Sequence, residues 1–375
     1  MSVQKRRIIL NASTVKISGG LIVAQSYIEA LCADSRYEIV LICPKIDAYK
    51  RYEQLTIKTI YVPDKLLRWS FRWLHDFIWL PKQIIQANSD LLITLNNIPA
   101  RTPVQQVYLH DNPYLTHGFR SRVKMSIKRF LIHLVRRRVT LNRMRFVNEV
   151  WVQSALEGSL FKKRINFKGT IQVITPMIPD YLLRKAKKRL MLPATRPGTI
   201  RLICLANYFE HKNIERLFEV VELAVEEEYQ LQLIFTLERQ EGNTCEKQIE
   251  KIKSLPESFA MNIGHVPARQ VGHVVNQCDG VILPSLMETF GLNCLDAWLN
   301  KKPYFISDLP YARGICGDSA IFFKPDSAID ILQTIKQAFS NEQEIKQAIS
   351  TGVSKIQQWP GQDRFISKVD RAVGS

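Results

Sequence analysis

The stretch PSLMETFGLNCLDA, residues 284–297, indicates more about the fold than any other part of this sequence. It follows the apolar run Gly280–Leu283, which predicts a strand, and it leads through a glycine into a helix. Backbone N–H groups at such a turn are available to a diphosphate. Glu288 and Asp296 are eight residues apart, so one carboxylate precedes the helix and the other lies about two turns further on. The two acids are therefore placed to contact different parts of one ligand.

Short β-rich runs alternate with longer segments of helical period on both sides of this stretch. The predicted strands are Ile8–Asn11, Ile39–Cys43, Ile57–Val62, Leu91–Leu95, Gln106–His110, Glu149–Val152, Ile171–Ile174, Ile200–Ala206, Leu231–Thr236, Met261–Ile263, Gly280–Leu283, Tyr304–Ser307 and Ile321–Phe323. This alternation is typical of βα units on a parallel sheet. We therefore predict an α/β protein with two Rossmann-like domains facing across a cleft, over residues 1–176 and 177–355. Residues 356–375 are expected to form a helix that packs back towards the first domain.

Charge is divided unevenly between the two predicted domains. The chain of 375 residues has a net charge of +17. Residues 1–180 hold 28 Lys/Arg and 12 Asp/Glu, whereas residues 181–375 hold 24 and 23. Such an excess in one half favours a polyanionic partner, and nucleic acid, anionic lipid headgroups or a phosphorylated substrate all qualify.

The sequence lacks the motifs of several common protein classes, which argues against those classes. The loop after the first strand is not GxGxxG, and the second strand ends at Cys43 and Pro44 without the acidic residue that would hold a nicotinamide cofactor. There is no GxxxxGK[ST] sequence, which argues against a P-loop kinase or ATPase. The seven cysteines are scattered, with no CxxC and no metal-like cluster, and are predicted to be reduced and buried.

The sequence has no segment that predicts secretion or membrane insertion. No stretch approaches the roughly 20 apolar residues that span a bilayer. The apolar run Ile8–Leu10 after the basic N-terminus is far too short for a signal peptide. We therefore expect a cytoplasmic protein, with peripheral contact to the inner face of the cell membrane through its basic half.

Residues 284–297 resemble the E-x-F-G-x-x-x-x-E-A motif of the retaining glycosyltransferase family 4, whose members have the GT-B fold of two Rossmann-like domains. The resemblance implies that the catalytic Glu288 hydrogen-bonds the donor sugar and that amides around Phe290 meet the donor diphosphate. It also implies that Asp296, where the family usually has glutamate, binds the ribose hydroxyls. The implied donor-binding residues of this stretch are Glu288, Thr289, Phe290, Gly291, Leu292 and Asp296.

A second stretch that resembles the family is LANYFEHKN, residues 205–213. Family members usually carry a lysine at the position of Lys212 and an arginine five residues earlier, both directed at the donor phosphates. Lys212 fits this binding and catalytic role because its ammonium group is a compact charge. Asn207 stands in place of the arginine, so another basic group or backbone amides would complete the phosphate contacts. A solvated lysine at a helix start is the alternative for Lys212.

The first half resembles the family at two loops. His110 closes a predicted strand and is similar to the family's histidine that faces the sugar, where it could bind a donor hydroxyl or help the acceptor lose its proton. A structural histidine is the alternative. Gly19 and Gly20 follow the first strand and let the backbone approach an anion at a helix N-terminus. A tight turn without a ligand is the alternative there.

A basic segment, residues 120–145, contains ten Lys/Arg and no acid. Its apolar residues keep a helical spacing: Val123, Ile127, Phe130, Leu131, Leu134 and Leu141. We predict that this segment binds an anionic membrane, and a core-packed helix with a charged outer face is the alternative. A similar spacing upstream, in Trp69, Trp73, Phe77 and Leu80, favours packing in the core over a membrane or lipid contact.

Together these features predict a glycosyltransferase that moves a sugar from a nucleotide diphosphate sugar to a saccharide acceptor. The acceptor is expected to be lipid-linked, as in the synthesis of O-antigen or a related surface glycan. No cofactor or metal is expected, because the sequence contains no D-x-D triplet. A nucleotide-sugar epimerase or phosphorylase on the same fold is the first alternative. A nucleic-acid binding protein is the second, although no known motif supports it.

Overall fold

The computed structural model describes residues 5–95, 98–117, 123, 125–178, 180–183, 190–239 and 245–374. The chain divides into two compact units. Unit 1 comprises residues 1–118, 126–179 and 360–375, and unit 2 comprises residues 119–125 and 180–359. The boundaries predicted from the sequence fall after residues 176 and 355, whereas the units divide after residues 179 and 359 and residues 119–125 group with unit 2.

Each unit is built on one sheet. The strands of unit 1 are β1 (Arg6–Asn11), β2 (Tyr37–Pro44), β3 (Lys58–Val62), β4 (Leu91–Thr94), β5 (Gln106–His110), β6 (Glu149–Val152) and β7 (Thr170–Val173). Those of unit 2 are β8 (Ile200–Cys204), β9 (Leu231–Phe235), β10 (Ala260–Asn262), β11 (Gly280–Leu283), β12 (Tyr304–Ser307) and β13 (Ile321–Phe323). The strand orders are β3-β2-β1-β4-β5-β6-β7 and β10-β9-β8-β11-β12-β13, and neighbouring strands are parallel throughout.

Helices connect the strands in both units. They are α1 (Ser18–Ala33), α2 (Asp47–Lys50), α3 (Asp64–Leu67), α4 (Arg72–Leu74), α5 (Leu80–Ala87), α6 (Pro113–Thr116), α7 (Ile127–Arg143), α8 (Ala155–Ile165), α9 (Asp180–Leu183), α10 (Glu215–Glu226), α11 (Glu246–Ser254), α12 (Val271–Asn276), α13 (Asn293–Leu299), α14 (Pro310–Cys316), α15 (Ala328–Ser340), α16 (Glu342–Gln357) and α17 (Gln362–Gly374). A π-helical turn, His75–Trp79, joins α4 to α5. Among the described helices, none has both the length and the apolar content needed to cross a membrane.

Local sequence explains where several of these helices begin. Ser154 precedes α8 and accepts a hydrogen bond from the backbone N–H of Glu157, as the S-x-x-E pattern predicts. Ser327 caps α15 in the same way through the N–H of Asp330. These caps stabilise helix starts directly behind the strands, since they satisfy N–H groups that the helix itself leaves free.

The sheets form the core because most of their strands are buried on both faces, as expected for parallel strands covered by helices. Strand order reverses between β1 and β4 in unit 1 and between β8 and β11 in unit 2. At such switch points the connections leave in opposite directions and open a crevice at the carboxyl ends of the strands. Loops that follow β8 and β11 are therefore brought side by side.

The last helix, α17, is part of unit 1 although it lies at the end of the chain. Phe365 stacks on Tyr27 with ring centroids 4.2 Å apart and meets Trp151 edge-on. Asp370 accepts hydrogen bonds from Arg36 and from the hydroxyl of Tyr37. The chain thus returns to complete the core of its first unit.

The α/β class and the two parallel sheets predicted from the sequence are confirmed. Differences are limited to element ends, such as β2, which extends to Tyr37–Pro44 where Ile39–Cys43 was expected. The helix expected over residues 356–375 begins at Gln362, and α16 ends at Gln357. Periodicity defines the centre of an element well, whereas its ends depend on caps and turns.

Candidate active site

Lys212 and Glu288 meet at the carboxyl ends of two neighbouring strands in unit 2. Lys212 ends a 3-10 turn that follows β8, and Glu288 follows β11. The Nζ atom of Lys212 donates a hydrogen bond of 2.6 Å to Oε1 of Glu288. A backbone hydrogen bond of 2.7 Å from Leu286 N–H to the carbonyl of His211 holds the two loops together. These contacts assemble a charged pair from positions 76 residues apart in sequence.

The pair is partly buried, with side chains of Lys212 and Glu288 exposed by 15% and 11%. Burial alone raises the pKa of Glu288, but the charges of Lys212 and His211 lower it further than burial raises it, so that the pKa lies below its usual value. Glu288 is therefore ionised at neutral pH. Lys212 has three N–H donors, one of which it gives to Glu288, so the pair can receive a polar or anionic ligand.

The loop after Glu288 has a backbone shape that requires glycine. Gly291 has a φ of +85°, a region that residues with a Cβ rarely adopt. Phe290 is buried against Trp359, with ring centroids 5.8 Å apart, and Asn293 donates a 2.7 Å hydrogen bond to the carbonyl of Leu205. The start of α13 is thereby attached to the loop that follows β8.

Asp296 lies one turn into α13 and is 9% exposed. Burial raises the pKa of its carboxyl group to about 7. Within the described part of the chain its Oδ1 atom has no hydrogen-bond partner. A buried carboxylate oxygen without a partner is uncommon in native proteins, and it is available to a hydroxyl group of a ligand.

The remaining predicted donor-binding residues of unit 2 lie on the same loops. Asn207 is half-buried just after β8, Thr289 is buried, and Leu292 is half-buried before α13. Sequence analysis missed Tyr311, whose hydroxyl donates a 2.8 Å hydrogen bond to the carbonyl of Ser285 and so supports the loop that carries Glu288. It also missed Trp359, because nothing in the sequence links this residue to Phe290.

The structure places His110 inside unit 1. Its side chain has no exposed surface, and its Nε2 atom lies 3.3 Å from both Thr116 Oγ1 and Glu157 Oε2. Glu157 also pairs with His117 at 2.6 Å. Burial acts to raise the pKa of Glu157, but hydrogen bonds from both histidines outweigh burial and lower it to about 2. This setting favours the structural alternative for His110, and its contact with a donor sugar stays a prediction.

The glycine loop of unit 1 lies beside a second acid that sequence analysis did not select. Gly19 and Gly20 are in the first turn of α1. A Cβ atom at Gly20 would be 3.7 Å from Oδ2 of Asp111. Burial raises the pKa of Asp111 to about 7. Approach of an anion to this loop would have to take place next to that carboxyl group, and anion binding by Gly19 and Gly20 stays a prediction.

Metal ligands are not grouped in either unit as far as the structure describes the chain. No cluster of three or more His, Cys, Asp or Glu side chains with metal-binding geometry occurs among the described residues. The described cysteines are free thiols, six of them buried as predicted and Cys32 half-buried.

Helix α7 and the segment before α5 present apolar side chains to solvent. Exposed residues of this surface, which we call the apolar face, are Phe71, Trp73, Phe77, Ile78, Ile127, Phe130, Leu131, Leu134 and Val135. The core position predicted for Trp73 and Phe77 is wrong, since they are 57% and 50% exposed. Leu80 is buried as expected, and the side chain of Trp69 lies outside the described residues. The exposed apolar residues of α7 recur at helical spacing and so share one face of that helix, and no described element covers it.

A family model and several solved structures are similar to this chain. Residues 193–354 match the family model described as glycosyl transferases group 1. No curated protein sequence matches the chain. A solved sucrose-phosphate synthase from Thermosynechococcus elongatus is similar over 98% of this chain and 98% of its own, with 14% identity and a TM-score of 0.74.

Two further solved structures are similar over nearly their whole length. HepE from Anabaena, in complex with UDP and glucose, matches 99% of this chain and 100% of its own, with 15% identity and a TM-score of 0.71. WaaG, a glycosyltransferase involved in lipopolysaccharide biosynthesis, matches 94% and 95%, with 12% identity and a TM-score of 0.66. At these identities the likenesses show the fold alone.

Two parallel Rossmann-like sheets, each covered by helices, give the chain the GT-B fold. Residues 193–354, which carry the whole Lys212 and Glu288 site, match the model of the glycosyl transferases group 1 family. The protein is thus a glycosyltransferase.

Proposed function

We propose that this protein transfers a sugar, with retention of configuration, from a nucleotide diphosphate sugar to a lipid-linked saccharide in the synthesis of a surface glycan such as O-antigen. The donor binds in unit 2, and no metal takes part. The observation that carries this proposal is the ion pair between Lys212 and Glu288 at the switch point of the second sheet.

Breaking the bond between the sugar and the diphosphate leaves negative charge on the departing phosphate. A fixed cation lowers the energy of that charge in a partly buried site more than it would in water. Lys212 supplies the cation, and backbone amides at Phe290, Gly291 and Leu292 supply further hydrogen bonds. Asn207 adds a neutral contact where the related enzymes that the sequence resembles have an arginine.

Glu288 is ionised beside Lys212, so it accepts hydrogen bonds and donates none. It is therefore suited to hold hydroxyl groups of the donor sugar while Lys212 faces the phosphate. Asp296, with one buried carboxylate oxygen free of partners in the described structure, is suited to the ribose hydroxyls. Glu288, Lys212 and Asp296 thus bind the sugar, the diphosphate and the nucleoside of the donor, respectively.

The acceptor is proposed to bind to unit 1, which carries most of the net positive charge of the chain. Its apolar face combines exposed Trp73, Phe77 and Leu131 with the lysines and arginines of α7. A basic surface with exposed aromatic and aliphatic side chains is suited to the interface of an anionic membrane. A lipid-linked acceptor at the inner face of that membrane would be presented to the same unit.

Thermal unfolding in the presence of EDTA tests the donor site. UDP, GDP, CDP and dTDP are added in turn, and a ligand at about 100 times its Kd stabilises the folded state by about 2.7 kcal/mol. We expect one nucleotide diphosphate to raise the melting temperature, and the increase to disappear in Lys212→Met. Arg313→Gln is the matched control, since its ion pair with Asp308 in the same unit is about half exposed.

An unchanged melting temperature with every nucleotide diphosphate, or an increase that requires a divalent metal, would contradict the proposed donor site. Transfer is then measured with the nucleotide sugar of the stabilising base and a lipid-linked saccharide. Release of free sugar without an acceptor, or a requirement for inorganic phosphate, would indicate the epimerase or phosphorylase alternative instead.

A further inference from the structure

Three arginines of unit 1 lie near a single carboxylate next to the apolar face, and a fourth lies near one of these three. Arg72 forms an ion pair with Asp76 at 3.3 Å. Arg143 donates hydrogen bonds to the backbone carbonyls of Pro99 and Asp76 at 3.0 and 3.1 Å. The charges of Arg72 and Asp76 act on Arg136, and the charge of Arg101 acts on Arg143. We call these five side chains the arginine cluster.

The arginine cluster holds more positive charge than its own carboxylate can neutralise. Four guanidinium groups and one carboxylate leave an excess of three positive charges. His75, which also contacts Asp76, adds none, because burial lowers its pKa despite that contact. Burial, together with the charge of Arg72, also lowers the pKa of Arg136. Like charges held together in a partly buried place raise the energy of the fold, and an anion bound among them would lower it.

The arginines differ in how freely they can reach a ligand. Arg143 is 3% exposed and both of its described hydrogen bonds are to backbone carbonyls, so it holds the cluster in place. Arg72 has a side chain exposed by 27%, Arg136 is half-buried and Arg101 is exposed. The planar fork of a guanidinium group matches two oxygens of one phosphate. Three arginines with solvent access can therefore bind phosphate oxygens from several directions.

The arginine cluster is continuous with the apolar face. The guanidinium group of Arg143 lies 4.5 Å from the ring centroid of Phe77, and Phe77 is half exposed. Trp73 and Ile78, each 57% exposed, are on the same short segment as Arg72 and Asp76. A ligand with a charged group and a long apolar chain would find both kinds of contact within this one surface.

We propose that the arginine cluster binds the phosphate groups of a lipid-borne diphosphate, the carrier of the acceptor, while the apolar face contacts its hydrocarbon chain and the surrounding bilayer. This inference rests on the proposed function, since it names the chemical group by which the acceptor is held. It differs from general attraction to an anionic membrane, because it requires a local site rather than a sum of surface charges.

Binding to vesicles of two compositions tests this site in the full-length protein. One set contains phosphatidylcholine with a minor fraction of polyprenyl diphosphate, and the other contains phosphatidylcholine with phosphatidylglycerol at the same total charge. We expect tighter binding to the diphosphate vesicles. Arg101→Gln and Arg136→Gln should each reduce that preference about tenfold, the effect of losing one charge-assisted hydrogen bond.

Two further variants separate a binding site from a structural cluster. Lys163→Gln removes one exposed charge from α8, which contributes nothing to the cluster, and should leave the preference unchanged. Asp76→Asn removes the competing carboxylate and should preserve or increase the preference, whereas a purely structural cluster would lose stability and gain no affinity. Circular dichroism of each variant confirms that the fold is retained.

Equal binding to both vesicle types would overturn the inference, and so would an equal loss of preference in Lys163→Gln and Arg101→Gln. Nucleotide-dependent thermal stabilisation of unit 2, measured without vesicles, reports on the proposed function separately. If that stabilisation is present and the lipid preference is absent, the arginine cluster is not the acceptor site although sugar transfer stands. If nucleotide stabilisation is absent, the proposed function itself fails.

Discussion

Both units place an ionised carboxylate beside a basic side chain near the ends of their strands, but they bury these pairs to different degrees. In unit 2, Lys212 and Glu288 keep 15% and 11% of their side-chain surface exposed. In unit 1, His110 and Glu157 keep 0% and 1%. The pKa of both carboxylates lies below the usual value in spite of burial, because each has a basic partner that compensates for the loss of water.

The difference in exposure distinguishes a pair that a ligand can reach from a pair that only stabilises the fold. A ligand can replace water at Lys212 and Glu288 without unpacking the unit. Glu157 instead receives hydrogen bonds from Thr116, His110 and His117, and nothing can reach it unless that network opens. Under the proposed function, this kind of pair recognises a ligand in unit 2 and stabilises the fold in unit 1.

The largest expected effect is on catalysis. Lys212→Met and Glu288→Gln should each lower kcat about 10²–10³-fold, since each removes electrostatic stabilisation of the transition state. The double variant should be little worse than either single variant, because the two side chains act as one unit. Initial rates with saturating donor measure this, and Arg313→Gln is the control. An equal loss of rate in that control would remove the distinction between the site and an ordinary surface pair.

The next effect is on the stability of unit 1. Glu157→Gln should lower the free energy of unfolding by about 1.5–3 kcal/mol, the contribution of hydrogen bonds to a charged group, and leave kcat of the folded protein unchanged. Urea denaturation measures the first quantity and initial rates the second. A loss of kcat with stability intact in Glu157→Gln would instead give the buried network, including His110, a catalytic role.

Acid denaturation provides a second readout of Glu157. Its pKa in the folded protein, about 2, lies below the ordinary value of 4.5, so the unfolded chain binds its proton first as the pH falls. Its contribution to stability is therefore complete above pH 4.5 and is lost as the pH falls towards 2. In Glu157→Gln this part of the decline should be absent.

A smaller effect is expected where α16 supports the site helix α13. A Cβ atom at Gly352 would overlap the indole ring of Trp298, whose Nε1 donates a 2.9 Å hydrogen bond to the carbonyl of Ser319. Gly352→Ala should destabilise the protein by about 1–3 kcal/mol, the usual cost of overpacking. Gly314→Ala is the matched control, because no atom lies within 4 Å of its Cβ position. Equal melting temperatures for the two variants would show that α13 does not depend on this contact.

A pH-dependent effect is expected from Asp296. Its pKa of about 7 lies above the ordinary value of 3.8, so the folded protein holds this proton more tightly than the unfolded chain does. The stability of the ligand-free protein should therefore fall as the pH rises from about 4 to 7, and Asp296→Asn should flatten that decline. The midpoint of urea unfolding across this range measures it. An unchanged slope would mean that the carboxyl group is solvated in the folded state.

Much of the fold could be predicted because parallel strands and their helices leave local marks in the sequence. Apolar runs such as Gly280–Leu283 coincide with observed strands, since both faces of these strands are buried. The family resemblance of residues 284–297 pointed to the segment that the family model also matches. The ends of elements were less predictable, because they depend on caps and on neighbouring turns.

By itself the sequence determined the α/β class, the two parallel sheets and the stretch around Glu288 that marks a glycosyltransferase. Only the tertiary structure decided that Lys212 reaches Glu288, since this contact depends on β8 lying next to β11. It also decided that Trp73 and Phe77 face solvent and that His110 does not. Periodicity shows which residues share a face, but whether another element covers that face depends on contacts between residues far apart in the chain.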